Sequence, residues 1–255
     1  MDNIEMIKLE DAGKAARVPM LPGSIPGAEV TLVTADAGGE LALAPIPGKA
    51  RILLTIDGAG VFAAGGTRQD FSGRWIFIPS FEQRATLACA EKTRILEIVW
   101  QIPDGSIGEW EHPGQQFPYI QEYWSCPQYR DKNKSDKTIS REMVRQRIVP
   151  GFCMGSVESY GYDKVAQHPH PMLDQFFFSF PENDTEVLID DFRVPQRGDT
   201  LLHIPLGSNH GVEVFKPNHM HYIWIDFFLG QAGLDRLDSS HRHTGTMRSF
   251  SEPRR

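Results

Sequence analysis

The feature that most restricts this chain is an internal repeat. Residues 51–80 read RILLTIDGAGVFAAGGTRQDFSGRWIFIPS, and residues 175–208 read QFFFSFPENDTEVLIDDFRVPQRGDTLLHIPLGS. Each stretch has a five-residue apolar run near its start, Ile52–Ile56 or Phe176–Phe180. A turn and a short middle strand follow, then a glycine and a strand that closes with Ile-Pro. The Gly–Pro pairs are Gly73–Pro79 and Gly198–Pro205, and the two Ile-Pro dipeptides lie 126 positions apart in 255 residues. Tandem duplication of one all-β unit accounts for this. A repeat takes precedence over residue-level reading because it resets the fold.

Runs rich in β-branched and aromatic residues continue after each Ile-Pro: Ala85–Ala88 and Arg94–Trp100 in the first half, Val212–Phe215 and Tyr222–Leu229 in the second. Gly 23 and Pro 18 make the chain turn-rich, which favours many short strands. Residues 231–239 (QAGLDRLDS) are the best candidate for a short helix. The repeat predicts two domains, an N-terminal unit with its linker over 1–135 and a C-terminal unit over 136–255. Residues 103–139 read as an irregular connection, partly packed through Trp110, Phe117, Tyr119, Tyr123 and Trp124, with the charge cluster 130–137 as its exposed boundary. The tail 240–255 reads as mobile, with its histidines solvated.

Charge and cysteines exclude several classes. A net charge of −7 argues against a phosphate-backbone ligand, so no nucleic acid is expected. Cys89, Cys126 and Cys153 form no CxxC pair, and three reduced thiols fit a cytoplasmic protein. Charged residues interrupt Met1–Met20, so no signal peptide is expected, and no apolar stretch reaches the ~18 residues of a membrane span. A nucleophile elbow, a P-loop and a GxGxxG motif are absent.

The chemistry concentrates in residues 161–214. Strand alternation puts His168 and His170 of HPHPMLDQ on one face, a preformed pair of metal ligands. The strand starting near Asp174–Gln175 can bring a third ligand beside them, and His210 can close the site after the Pro205–Asn209 turn. Glycine, then His-x-His, then an acidic or amide side chain resembles the first cupin motif, and Pro205-x-Gly207-x-x-His210 resembles the second. With the duplication, the chain resembles a bicupin: all-β, two tandem double-stranded β-helix (jelly-roll) barrels. The resemblance implies a divalent metal ion (Fe, Zn, Mn or Ni) held by His168, His170 and His210. The fourth family ligand, usually Glu, corresponds to Gln175, or to Asp174 at the shorter spacing. A three-His, one-Gln set leaves the ion's charge uncompensated, which favours an anionic small-molecule substrate.

The same alignment places Ala44, Ile46, Arg51 and Arg84 opposite His168, His170, Gln175 and His210, so the N-terminal barrel is expected to be structural. Arg51 and Arg84 are candidates for an anion pocket there, with salt-bridged or surface arginines as the plainer reading. Glu158 and Tyr160, which share parity on the preceding strand, and His221 are the candidate acid–base residues if their face points inward, with His203 and His219 as further possibilities. Three functions follow. The first is a metal-dependent isomerase or lyase acting on a sugar acid or keto acid by metal-assisted proton transfer. It is favoured by a resemblance of these strands to ketol-isomerases of uronates and inositol-breakdown acids. The second is an iron dioxygenase for an aromatic or dicarbonyl substrate, with Phe176, Phe178, Phe180 and Trp224 as its apolar lining. The third is a non-catalytic ligand-binding cupin. A homodimer is expected from exposed strand edges.

Overall fold

The computed structural model describes residues 4–10, 16–80, 82–106, 117–170, 172–228, 230 and 241–250. The helix expected over 231–239 and the packing expected of Trp110 lie outside the described residues. The first half contains β1 (Met6–Lys8), β2 (Arg17–Met20), β3 (Ala28–Ala35), β4 (Glu40–Leu43), β5 (Lys49–Asp57), β6 (Ala59–Ala64), β7 (Thr67–Ser72), β8 (Trp75–Ile78), β9 (Ala85–Cys89), β10 (Thr93–Gln101) and β11 (Tyr119–Glu122). The second contains β12 (Gln128–Arg130), β13 (Ile139–Val149), β14 (Phe152–Tyr160), β15 (Asp163–Pro169), β16 (Leu173–Ser179), β17 (Asp184–Ile189), β18 (Phe192–Arg197), β19 (Thr200–Ile204), β20 (Asn209–Val214), β21 (His219–Phe228) and β22 (Arg242–His243). No helix among the described residues is long and apolar enough to cross a membrane.

The repeat is a repeat of topology. One large sheet runs β11-β8-β5-β10-β3-β2, and its counterpart runs β1-β19-β16-β21-β14-β13-β12-β22. Each faces a four-stranded sheet, β4-β9-β6-β7 or β15-β20-β17-β18. Two antiparallel sheets closed on one core make a jelly-roll barrel, and the chain builds two of them. One strand crosses between the halves. The first strand of the chain, β1, pairs with β19 at Met6↔Leu202, and β12 joins the C-terminal sheet through Gln128↔Arg141.

The two five-residue runs, apolar but for the buried Thr55 and Ser179, sit on strands buried on both faces, which is why they do not alternate with exposed polar residues. Leu53 and Phe177 point into their own barrels, while Ile52, Leu54, Phe176 and Phe178 point outward. The outward faces of the large sheets meet in a third core, where Leu54, Ile56 and Ile98 pack with Phe176, Phe178, Phe180, Ile223, Ile225 and Phe227. This face-to-face contact decides which parity of each C-terminal strand reaches the barrel interior.

Candidate functional site

His168 and His170 leave the end of β15, and His210 sits on β20 directly across from His168. An irregularity in the β15 register between Val165 and His168 re-aims the end of the strand, a common device beside functional sites. The turn before His210 depends on Gly207, whose φ of +80° disfavours a side chain. Ser208 N–H donates to Pro205 O at 3.0 Å to close it.

The three imidazoles converge. Their ring centroids lie 4.7, 5.2 and 5.3 Å apart, and their candidate ligand atoms all fall within 4.8 Å of one another. Two of them are already oriented. His168 Nδ1 donates to Ala166 O at 2.7 Å and His210 Nδ1 to Ser208 O at 3.2 Å, so Nε2 of each is left with its lone pair. A backbone carbonyl on one ring nitrogen, leaving the other for a cation, is the usual outer contact of a metal-binding histidine. Burial, helped by the neighbouring His168, pushes the His210 pKa down to about 4, which keeps it in the neutral form that ligation requires.

Gln175 lines the same cavity, and its alternative does not. The parity of β16 sends Gln175 inward beside Phe177 and sends Asp174 to the outer face, where His203 Nε2 lies 2.9 Å from Asp174 Oδ1. Gln175 Nε2 donates to Asp226 Oδ1 at 2.5 Å, which leaves Gln175 Oε1 buried with no hydrogen-bond partner. An orphaned amide oxygen on the wall of the cavity that holds three converging imidazoles adds to a donor set that suits a divalent cation, so the residues fit a metal ion.

The cavity has a volume of about 650 Å³. Phe177, Tyr222 and Trp224 line it together with the 130–136 segment and His241. The sequence put 130–137 at an exposed boundary and the tail in solvent. Instead Lys134 pairs with Val165 of β15, and the His241 ring stacks on Tyr129 at 4.0 Å. The reason is long-range: β12 and β22 hydrogen-bond at Tyr129↔His243, bringing the tail over the cavity. Two ionisable residues in this wall carried no motif. Burial raises the Asp226 carboxyl to about 7, against the opposing effects of Gln175 and Lys134. Burial lowers the Lys134 ammonium to about 8, against Asp131 and Asp226. Strand parity alone could have pointed to Asp226, two residues after Trp224. Nothing local marked Lys134.

The acid–base candidates face the other way. Even-numbered residues of β14 and odd-numbered residues of β21 project toward the N-terminal barrel, so Glu158, Tyr160 and His221 do not line the cavity. The inward face required for their catalytic role is not the face they occupy. Glu158 pairs with the buried Arg141 at 2.7 Å and lies 3.5 Å from His219, whose ring stacks on Tyr160. His221 is fully buried between Glu182 at 2.6 Å and Tyr123 Oη at 2.5 Å, and Arg74 holds Glu182 through two 2.8 Å bonds. Glu158, His219 and His221 could by spacing hold a cation, but two guanidinium groups already compensate their carboxylate partners. The network instead ties β8 and β11's end to β14, β21 and the residues after β16. Phe176, Phe178 and Phe180 share this outward face and form no aromatic lining; of the four proposed, only Trp224 does.

In the N-terminal barrel the corresponding space is filled. Arg51 Nε lies 3.3 Å from the buried Glu97, which Arg17 also engages, and only about 10 Å³ remains beside Ala44 and Ile46. Arg84 is exposed. The two arginines therefore do not form an anion pocket.

The two barrels have the cupin fold in its tandem, two-barrel form. A scan against protein-family models and a search of curated proteins found no match. Solved structures do match. An IolB-like protein from Salmonella typhimurium LT2 superposes with a TM-score of 0.66 at 10% identity, covering 88% of this chain and 93% of that one. The oxalate decarboxylase of Lactobacillus farciminis, solved as a formate complex, gives 0.67 at 11% identity over 94% and 88%. A cupin 2 conserved barrel domain protein from Leptotrichia buccalis gives 0.59 at 12% identity over 88% and 96%. At these identities the likeness establishes the fold.

Proposed function

We propose that the protein is a divalent-metal-dependent cupin enzyme, an isomerase or lyase that moves a proton on a small oxygenated acid in the C-terminal barrel. The observation that carries this reading is the convergence of His168, His170 and His210 with the orphaned Gln175 Oε1 on one polar-walled cavity. An ion held there would polarise a substrate carbonyl or enediolate oxygen and so acidify the neighbouring carbon. The chain's own part is to orient the imidazoles through Ala166 and Ser208, to offer Asp226 as a group that holds or passes a proton, and to shield the bound acid. The presence of an oxalate decarboxylase, solved as a formate complex, among the similar folds supports a small acid as the substrate class.

A second reading, an iron dioxygenase, is supported by the aromatic side of the cavity, Phe177, Tyr222 and Trp224. Elemental analysis of tag-free protein purified without chelators, with and without oxygen, separates the two. Zinc, manganese or nickel favours the isomerase or lyase. Stoichiometric iron with oxygen uptake favours the dioxygenase, and no metal in either preparation leaves a ligand-binding cupin. Replacing His168 and His210 together with Ala is expected to abolish metal binding while the far-UV spectrum and melting stay cooperative, because both apolar cores remain intact. Stoichiometric metal in that folded variant would refute the site. A homodimer through an open sheet edge belongs to the same reading, and sedimentation would test it.

A further inference from the structure

Resting on the metal-site reading above, we infer that Lys134 is the specificity-determining residue that takes the substrate's carboxylate, presented by a loop that the C-terminal segment latches onto the cavity. The Lys134 side chain is 8% exposed and shares the cavity with His168, His170, His210 and Gln175. Its Nζ donates to Tyr129 Oη at 3.0 Å and sits 4.8 Å from the centroid of the same ring. Asp131 Oδ2 is 3.8 Å away, beyond hydrogen-bond reach. Among the described residues, only one of the three ammonium protons is engaged. Asp131 is thus its ion-pair partner without hydrogen-bonding it, and a buried ammonium with donors left over is costly unless something else completes its shell.

Two features say what completes it. Three imidazoles and an amide bring no negative charge of their own, so a divalent ion held there would have only Asp226, behind Gln175, as a nearby carboxylate, in the same cavity as this ammonium. Both call for an anion, and the volume suits a small carboxylic acid. Burial holds the ammonium near the edge of ionisation, which makes an anionic partner more stabilising there than at the surface.

The loop is built to hold Lys134 in place. Lys134 N–H donates to Asp131 O at 3.1 Å, and Asn133 N–H donates to Asp131 Oδ1 at 2.8 Å. Ala166 N–H donates to Asn133 O at 2.8 Å, while Ala166 O accepts from His168, so loop and imidazole share one peptide neighbourhood. On the far side, Arg248 donates to Asp136 O at 2.8 Å and to Thr138 O at 2.6 Å. Gln128 clasps the Arg248 backbone in both directions, at 2.7 and 3.0 Å. The tail thus locks both ends of the Lys134 loop.

The test uses the full-length protein with its native metal complement. Titration calorimetry with malonate and other two- to six-carbon carboxylates, against malonamide as the neutral control, is expected to show binding of acids only. Lys134→Met should weaken that binding about tenfold or more, as expected for a lost charge-assisted bond, with metal content unchanged. Lys134→Arg should recover part of it, and Arg248→Ala should weaken it by loosening the loop. Unchanged carboxylate affinity in Lys134→Met overturns the inference, as does a metal-loaded wild type that binds none of these acids. Failure of the metal reading shows separately, as absent metal. If Lys134→Met does not fold, acylation of wild-type Lys134 read by mass spectrometry decides instead. Saturating malonate should protect that lysine, and labelling at an unaltered rate overturns the inference.

Discussion

Asp174 and Gln175 are neighbours, and both spacings were compatible with the motif, yet the pleat separates them by a whole face of the sheet. A one-residue offset in a strand is a choice between core and exterior. The choice was made by Phe176 and Phe178, which must face the other barrel, so Gln175 must face its own. The same rule moved Glu158, Tyr160 and His221 away from the cavity. Their shared parity was legible in the sequence; which face points inward was not. At this scale Gln175→Glu is the informative substitution. A carboxylate in place of the orphaned amide oxygen should tighten the binding of a divalent ion, measured by competition with a chromophoric chelator. Unchanged affinity would remove Gln175 from the ligand set.

Strand elements were legible because they are written locally. The five-residue apolar runs became the doubly buried strands β5 and β16, and the Ile-Pro closures became the ends of β8 and β19. The 130–137 segment and the tail were read from charge, which describes solubility better than contact. Burial of Lys134 and stacking of His241 depend on β12 pairing with β22, more than 110 residues away in sequence. Gly155 illustrates a requirement at the same level. It pairs across β14 and β21 with Trp224, and a Cβ there would meet the indole at 2.2 Å and Arg141 O at 2.5 Å. Gly155→Ala should therefore cost ~1–3 kcal/mol through overpacking, read from urea unfolding. A variant as stable as the parent would show that the Trp224 wall can yield.

At the scale of the molecule the two barrels are joined by apolar faces and by one polar network. Phe178→Ala empties the shared core and should destabilise by ~3–5 kcal/mol in equilibrium unfolding. The network gives the fold an acid sensitivity of known sign. Burial works against ionisation of Glu158 and Glu182, but His219, His221 and Arg141 hold Glu158 at about 2, and His221 and Arg74 hold Glu182 well below the usual range. Their stabilisation is complete above the unfolded value of about 4.3 and is lost as pH falls through the folded values. Burial keeps His221 neutral down to about 4, so the unfolded chain binds the extra proton between about pH 6.5 and 4, which weakens the fold in the same direction. The melting temperature should fall steadily from pH 7 to pH 3, and Glu182→Gln should cost more at pH 7 than at pH 3. A pH-independent cost would mean that Glu182 acts by packing alone.

By itself the sequence determined the all-β class, the duplication, the strand-like runs common to both halves and the convergence of three histidines. Those properties live in apolar runs, turn residues and motif spacing, each confined to a few tens of residues. Only the tertiary structure decided the inward parity of β14, β16 and β21, the filling of the N-terminal barrel by Arg51 and Glu97, and the placement of Asp226 and Lys134 in the cavity wall. Each of those follows from contact between segments distant in the chain, where burial against a neighbouring sheet decides what a residue faces.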